Sequence, residues 1–221
     1  MVAQNRFMPS NLTLRNYEEK DKPEILQLHQ VAIGPVTLDM YPIYRTGLER
    51  RLVPDQIVVA EVKKKVAGFI SFERFDQMPY SNLLHFLHML TLAQYPENEA
   101  NTRDNLKKVK RELRKGSVTL EYFDLACKIN IFGIPGESMM GANMVVSGRY
   151  RNNGMGYALA HHALDKVLER KPPVIFTQLI DGSPSVSICD KLGFKSLLRY
   201  GPNYSNGAAT HLMIYDPTGK L

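Results

Sequence analysis

The chain has 221 residues, 44% hydrophobic and 23% charged, which suits one soluble-type domain with a full core. No apolar run is long enough to span a bilayer and the N-terminus has no hydrophobic signal core, so a cytoplasmic location without a membrane partner is expected. The net charge of +6 would suit an anionic partner, but the basic residues are dispersed and no aromatic-interleaved basic strand goes with them, so a nucleic-acid partner is not expected.

In chain order, residues 12–17 (LTLRNY) alternate and read as a strand. Asp21 then has the position of a helix N-cap, with Pro23 in the first turn and Glu24 in capping-box spacing. Ile25, Leu28 and Val31 or Ala32 form the apolar stripe, and Gly34-Pro35 is expected to end the helix. A second helix is expected over 40–51, with Tyr41, Tyr44, Leu48 and Leu52 on one side. Residues 57–62 and 66–75 are β-rich runs joined by three lysines, which is a hairpin signal without the usual Asn-Gly.

Residues 76–140 break this rhythm and read as a helical insertion, ending in a Gly- and Pro-rich loop over 133–141. After it comes the most informative stretch, 144–170 (MVVSGRYRNNGMGYALAHHALDKVLER). It reads as an apolar strand, a glycine-containing turn and an amphipathic helix burying Leu159, Ala160, Ala163, Leu164, Val167 and Leu168. Residues 174–180 form a buried strand, so the unit is βαβ with parallel neighbours. Ser183-Pro184 opens another helix, with Ser183 as N-cap, and Gly193 closes it. Two further strands, 194–200 and 209–215, are expected to be antiparallel.

A strand ending in Arg151-Asn152-Asn153-Gly154-Met155-Gly156 aims free backbone N–H groups and the positive end of a helix dipole at one point, which is a phosphate site. Tyr157 and Ala158 stand where a P-loop needs Lys and Ser or Thr. Leu159 stands where a dinucleotide fingerprint needs its third glycine. Two cysteines, Cys127 and Cys189, are too few for a zinc site or a disulfide framework. His85 and His88, and His161 and His162, are pairs with too few converging ligands, so no metal is expected.

Arg-x-x-Gly-x-Gly after a strand, at two-thirds of the chain, resembles the acetyl-CoA motif of the GNAT superfamily of N-acetyltransferases. The run SPSVSICDKLGF at 183–194 resembles the family's next helix, with its ending at Lys191, Leu192, Gly193 and Phe194. Tyr150-Arg151-Asn152-Asn153-Gly154, the preceding insertion and the Asn130-Ile131-Phe132 segment are similar to the invertebrate arylalkylamine, or dopamine, N-acetyltransferase branch.

The resemblance implies an α/β GNAT fold: a mixed six- to seven-stranded sheet flanked by helices, with the helical insertion ahead of the acetyl-CoA strand. It implies that acetyl-CoA pairs with Met144, Val145 and Val146, and that its pyrophosphate lies on Arg151, Asn152, Asn153, Gly154, Met155, Gly156 and Tyr157. Ser185 falls in a serine slot of the branch, for catalysis or cofactor contact. Cys189 stands where many members carry a tyrosine acid, and a thiol donates weakly; a small apolar helix residue is the competing reading. The branch's glutamate base has no counterpart here, and Asp39 is the nearest carboxylate. A base acting through water, Glu137 or a tyrosine, is the alternative.

The expected reaction is acetyl transfer from acetyl-CoA to a primary amine, a small arylalkylamine or polyamine-like molecule, in a ternary complex formed by a monomer or homodimer. A protein or peptide N-acetyltransferase and a catalytically weak acetyl-CoA-binding module are the competing readings.

Overall fold

The computed structural model describes residues 9–37, 41–74, 77, 137–200 and 207–219. Apart from residues 77 and 137–140, the expected helical insertion lies outside the described residues, as does Asp39.

Seven strands form one mixed sheet in the order β1-β2-β3-β4-β5-β7-β6 among the described residues. The strands are β1 (Leu12–Asn16), β2 (Ile57–Val62), β3 (Lys65–Arg74), β4 (Met139–Val146), β5 (Ile175–Ile180), β6 (Lys195–Tyr200) and β7 (Thr210–Tyr215). All neighbours are antiparallel except β4 and β5, which are parallel and joined by a helical crossover. That parallel pair is the βαβ unit read from the sequence.

Helices α1 (Lys22–Thr37) and α2 (Tyr41–Arg50) cover one face of the sheet. Ile25 and Leu48, with Leu52 just past α2, pack there on Ile57, Val59, Val66, Phe69 and Val145. Helix α3 (Met155–Leu168) covers the other face and buries Met155, Leu159, Ala163 and Val167 against Val58, Ala60, Phe72, Met139 and Ile175. Each such buried Val, Leu, Ile, Met or Phe side chain contributes about 1.5–3 kcal/mol. Helix α4 (Pro184–Lys191) lies beside α3.

The β2–β3 hairpin turns on Lys63 and Lys64, which take left-handed φ values of 52° and 62°. Two consecutive positive φ values make the primed turn that matches strand twist, so two lysines do here what Asn-Gly usually does.

Four local expectations are corrected. Asp21 does not cap α1. It ends a short 3-10 turn, accepts the Glu18 N–H at 2.8 Å and binds the Arg15 guanidinium at 2.7 and 2.8 Å. Glu24 likewise leaves its own helix and accepts the Val66 N–H of β3 at 2.7 Å. Helix α1 runs through Gly34-Pro35 to Thr37, whose hydroxyl donates to the Ile33 carbonyl at 2.9 Å. A proline deep in a helix removes one backbone bond, and packing of α1 on α2 and β3 outweighs that loss. Finally, residues 139–141 are strand and not loop, because Met139, Met140 and Gly141 pair with both β3 and β5.

Candidate functional site

The site is an opening inside the sheet. β4 pairs with β3 over its whole length, from Met139↔Arg74 to Val146↔Gly68. With β5 it pairs only at Met139, Met140 and Gly141. The register explains the parting. Ser71 faces Asn143 and Phe72 faces Gly141, so Ala142 is an extra residue in β4. Such a bulge bends its strand and increases twist, and the parting from β5 begins at this residue. Beyond it, one side of β4 has no strand partner among the described residues, while β5 pairs onward with β7.

At the far end of the gap stands the glycine turn. Asn152 and Gly154 take left-handed φ values of 63° and 85°. Glycine pays no steric penalty there, whereas an ordinary side chain does. The Asn153 side-chain oxygen accepts the Met155 N–H at 3.2 Å, and the Gly154 carbonyl accepts the Ala158 N–H at 3.0 Å. Between them the N–H groups of Gly156 and Tyr157 belong to the first helical turn, where no helix carbonyl reaches them. The helix dipole adds positive potential at the same place. Arg151 is exposed, and its Nε donates to the Val146 carbonyl at 3.0 Å, tying the turn to the end of β4.

Gly156 has a packing reason as well. A Cβ there would lie 3.1 Å from Ile188 Cδ1 of α4 and 3.8 Å from Val146 Cγ2. The glycine therefore lets α3, α4 and the end of β4 converge.

The expected cofactor residues thus fall into distinct groups. Val145 points into the core under α1 and α2, while Met144 and Val146 pack toward α3. That leaves the β4 backbone, not these side chains, to face the gap. Arg151, Asn152, Asn153, Gly154, Met155, Gly156 and Tyr157 form the turn and first helical turn, with the Met155 side chain fully buried. The Tyr157 ring rests 6.0 Å from that of His161, which pairs with Asp165 at 3.0 Å on the helix surface.

Ser185 is half-buried in the first turn of α4. Ser183 holds the N-cap position, but its hydroxyl makes no capping bond, contrary to expectation. Cys189 is buried, and burial, helped by the neighbouring Asp190 charge, pushes its thiol up to about 12. A thiol held that high is a weaker acid than an ordinary alkyl thiol.

No family model matches the chain, and no curated protein matches it. Solved structures do match. A chain of the NatC complex bound to Gag peptide and CoA superposes with a TM-score of 0.58 at 14% identity, covering 96% of this chain and 100% of the other. The ribosomal-protein-S18-alanine N-acetyltransferase from Escherichia coli gives 0.54 at 12% identity, covering 93% of each chain. A protein of Salmonella typhimurium solved with its cofactor acetyl-CoA gives 0.53 at 14% identity, covering 94% of each. The fold is that of the GNAT acetyltransferases. In this GNAT fold the glycine turn follows the end of β4 that has parted from β5.

One group of residues was not anticipated from the sequence. On the α1–α2 side, at the closed end of the gap, His29 is fully buried. Its Nδ1 lies 3.3 Å from the Tyr41 hydroxyl, and its ring is 6.5 Å from that of Phe69. Asn143, the first residue past the bulge, donates to Ser71 at 3.4 Å and lies close enough to His29 to support its proton affinity. Burial dominates, with the Arg51 charge adding to it, and lowers the His29 value to about 4. Below them Arg51 and Glu73 form a buried ion pair at 2.8 Å, close but not aligned as a hydrogen bond. The available signal was position: His29 lies four residues after Ile25, inside the apolar stripe of α1.

Proposed function

We propose that the protein is an acetyl-CoA-dependent N-acetyltransferase acting on a primary amine. The observation that carries this reading is the β4–β5 opening joined to a turn in which the Gly156 and Tyr157 amides stand in the first helical turn, beyond the reach of any helix carbonyl. An extended amide-bearing arm can pair with the open side of β4 as an added strand does. A pyrophosphate suits the Gly154 to Tyr157 turn, where N–H groups and the helix dipole coincide. On this reading the pyrophosphate lies on the turn that follows β4, and the thioester lies toward Ala142, where β4 leaves β5.

The chemistry is attack of a neutral amine nitrogen on the thioester carbon. Polar N–H groups near the gap stabilise the developing oxyanion. Ser185, on α4 beside the turn, is kept as a cofactor contact or proton donor. Cys189 is the poorer acid, because its burial makes proton release to a departing thiolate uphill. Asp39 serves as a base or amine-binding carboxylate. The protein works in the cytoplasm, and the reaction uses no metal.

The acceptor is proposed as a small arylalkylamine or polyamine-like amine, from the motif resemblance. A second reading, the N-terminal amine of a polypeptide, draws on the similar structures named for peptide-bound and ribosomal-protein-alanine acetyltransferases. Calorimetry with acetyl-CoA, followed by thiol-release assays on tyramine and on an alanine-initiated tripeptide, tests the donor and the acceptor separately. Binding near micromolar with turnover of one amine is expected. No acetyl-CoA binding would sink the reading.

A further inference from the structure

Among the described residues, His29 has one ring nitrogen engaged and one without a partner in bonding geometry. Nδ1 faces the Tyr41 hydroxyl at 3.3 Å, while Nε2 is buried and finds no partner in bonding geometry among the described residues. A buried polar atom left unpaired is costly and calls for an explanation. A second such atom, Gln178 Nε2, lies across the gap. Gln178 is the residue after Thr177, which pairs with Gly141 at the last β4–β5 contact. It is on the same sheet face as Phe176, the face that carries Asn143 on β4 after the bulge. Two unpaired buried polar atoms therefore flank the closed end of the opening, from α1 and from β5.

We propose that His29 Nε2 is the acceptor-amine site: it accepts an N–H hydrogen bond from an incoming primary amine in its uncharged form, beside Asn143 and across from Gln178. This rests on the acetyl-CoA reading, which puts the thioester at that end. It requires the tautomer with the proton on Nδ1, donating to the Tyr41 oxygen, and it holds Nε2 unprotonated against the pull of Asn143, whose hydrogen bond favours a proton on the ring. The charged and titratable groups around the ring are Arg51 and Glu73, already paired with each other, and Tyr41 with Arg45 and Glu49 further along α2. No carboxylate among the described residues is free to hold an ammonium there, and the surroundings that keep imidazole neutral also disfavour a bound cation. His29 therefore positions the amine and does not take its proton. The transfer balances without it: the N–C bond forms, the C–S bond breaks, and the proton lost by nitrogen is the one the sulfur gains.

The test uses the full chain and the variants His29→Leu and His29→Gln, the second of which keeps an acceptor oxygen. Acetyl-CoA affinity is expected to stay within threefold in both. With tyramine or the alanine-initiated tripeptide, His29→Leu should raise the amine KM at least tenfold, and His29→Gln should recover part of it. In the wild type, kcat/KM should rise with pH along each amine's own ionisation, with no shared break near pH 6.5. A KM within threefold in His29→Leu, or a break common to both amines, overturns the inference and leaves the donor reading standing. Acetyl-CoA binding without thiol release on either amine does the same. Failure of the wild type to bind acetyl-CoA overturns both. Independently of the variants, nitrogen NMR of the wild-type ring at pH 7 should show Nε2 unprotonated; a proton on Nε2 overturns the assignment.

Discussion

The two sides of β4 are built on opposite terms. Toward β3 the ladder is continuous and absorbs a bulge without losing a neighbour. Toward β5 it stops after Gly141. The closed side is reinforced behind the sheet by Arg51 and Glu73 and by the Glu24 carboxylate on the Val66 amide. Among the described residues the open side is held at its ends, by the short pairing with β5 and by the glycine turn with its Arg151 tether to Val146. Stability is concentrated where the strand is fully paired, so the gap can stay open without weakening the frame. A functional opening in a sheet needs a rigid opposite flank, because packed interiors transmit strain.

Breaking the closed side should have the largest effect. Arg51→Ala leaves Glu73 buried without its partner and should cost about 3–5 kcal/mol, read from urea unfolding. A loss under 1 kcal/mol would mean the pair is not a structural anchor.

At the open end, Gly154→Ala forces a side chain into a φ of 85° and should cost about 1–2 kcal/mol. It should weaken acetyl-CoA binding in calorimetry as well; stability lost with affinity unchanged would separate the turn from the donor site. Asn153→Ala removes the side-chain acceptor for the Met155 amide and should cost about 1 kcal/mol, again with weaker acetyl-CoA binding.

The smallest effect is set by pH at the edge of the closed side. Burial works to raise Asp21, but its bonds from Arg15 and the Glu18 amide outweigh that and leave it below the ordinary aspartate range. Its stabilisation is complete above the unfolded aspartate value and drains away as pH falls through the lowered folded value. Asp21→Asn should flatten the acid side of the stability curve; an unchanged slope between pH 5 and pH 2 would contradict the pairing.

Much of this frame was legible in the residues. The hairpin, the βαβ unit and α3 follow from period and turn chemistry, and the Lys191-Leu192-Gly193-Phe194 ending marked α4. What misled were local stop signals. Gly34-Pro35 looked terminal because propensity is local, whereas α1 is held by α2 and β3. Gly141 looked like loop because glycine is rare in strands, yet it lies against Thr177, where its bare Cα leaves room: a Cβ would sit 3.4 Å from the threonine oxygen. Asp21 and Glu24 had capping spacing, but long-range partners in Arg15 and Val66 claimed them. The gap came into view through motif resemblance alone, since a one-residue bulge at Ala142 has no period of its own. His29 stayed hidden because a histidine in an apolar stripe reads the same whether or not its second nitrogen is used.

The Ala142 bulge also changes what kind of surface the molecule presents. A seven-strand sheet ordinarily has two edges, here β1 and β6. Among the described residues this one has a third, inside the sheet, where the backbone of β4 past Gly141 is a template without a strand. Outer edges are guarded by charge, and β6 carries Lys195 and Arg199. The inner edge carries Met144, Val145 and Val146 and no charge. Its safeguard against pairing with another chain is confinement, since α1 and α2 close over one face and α3 over the other.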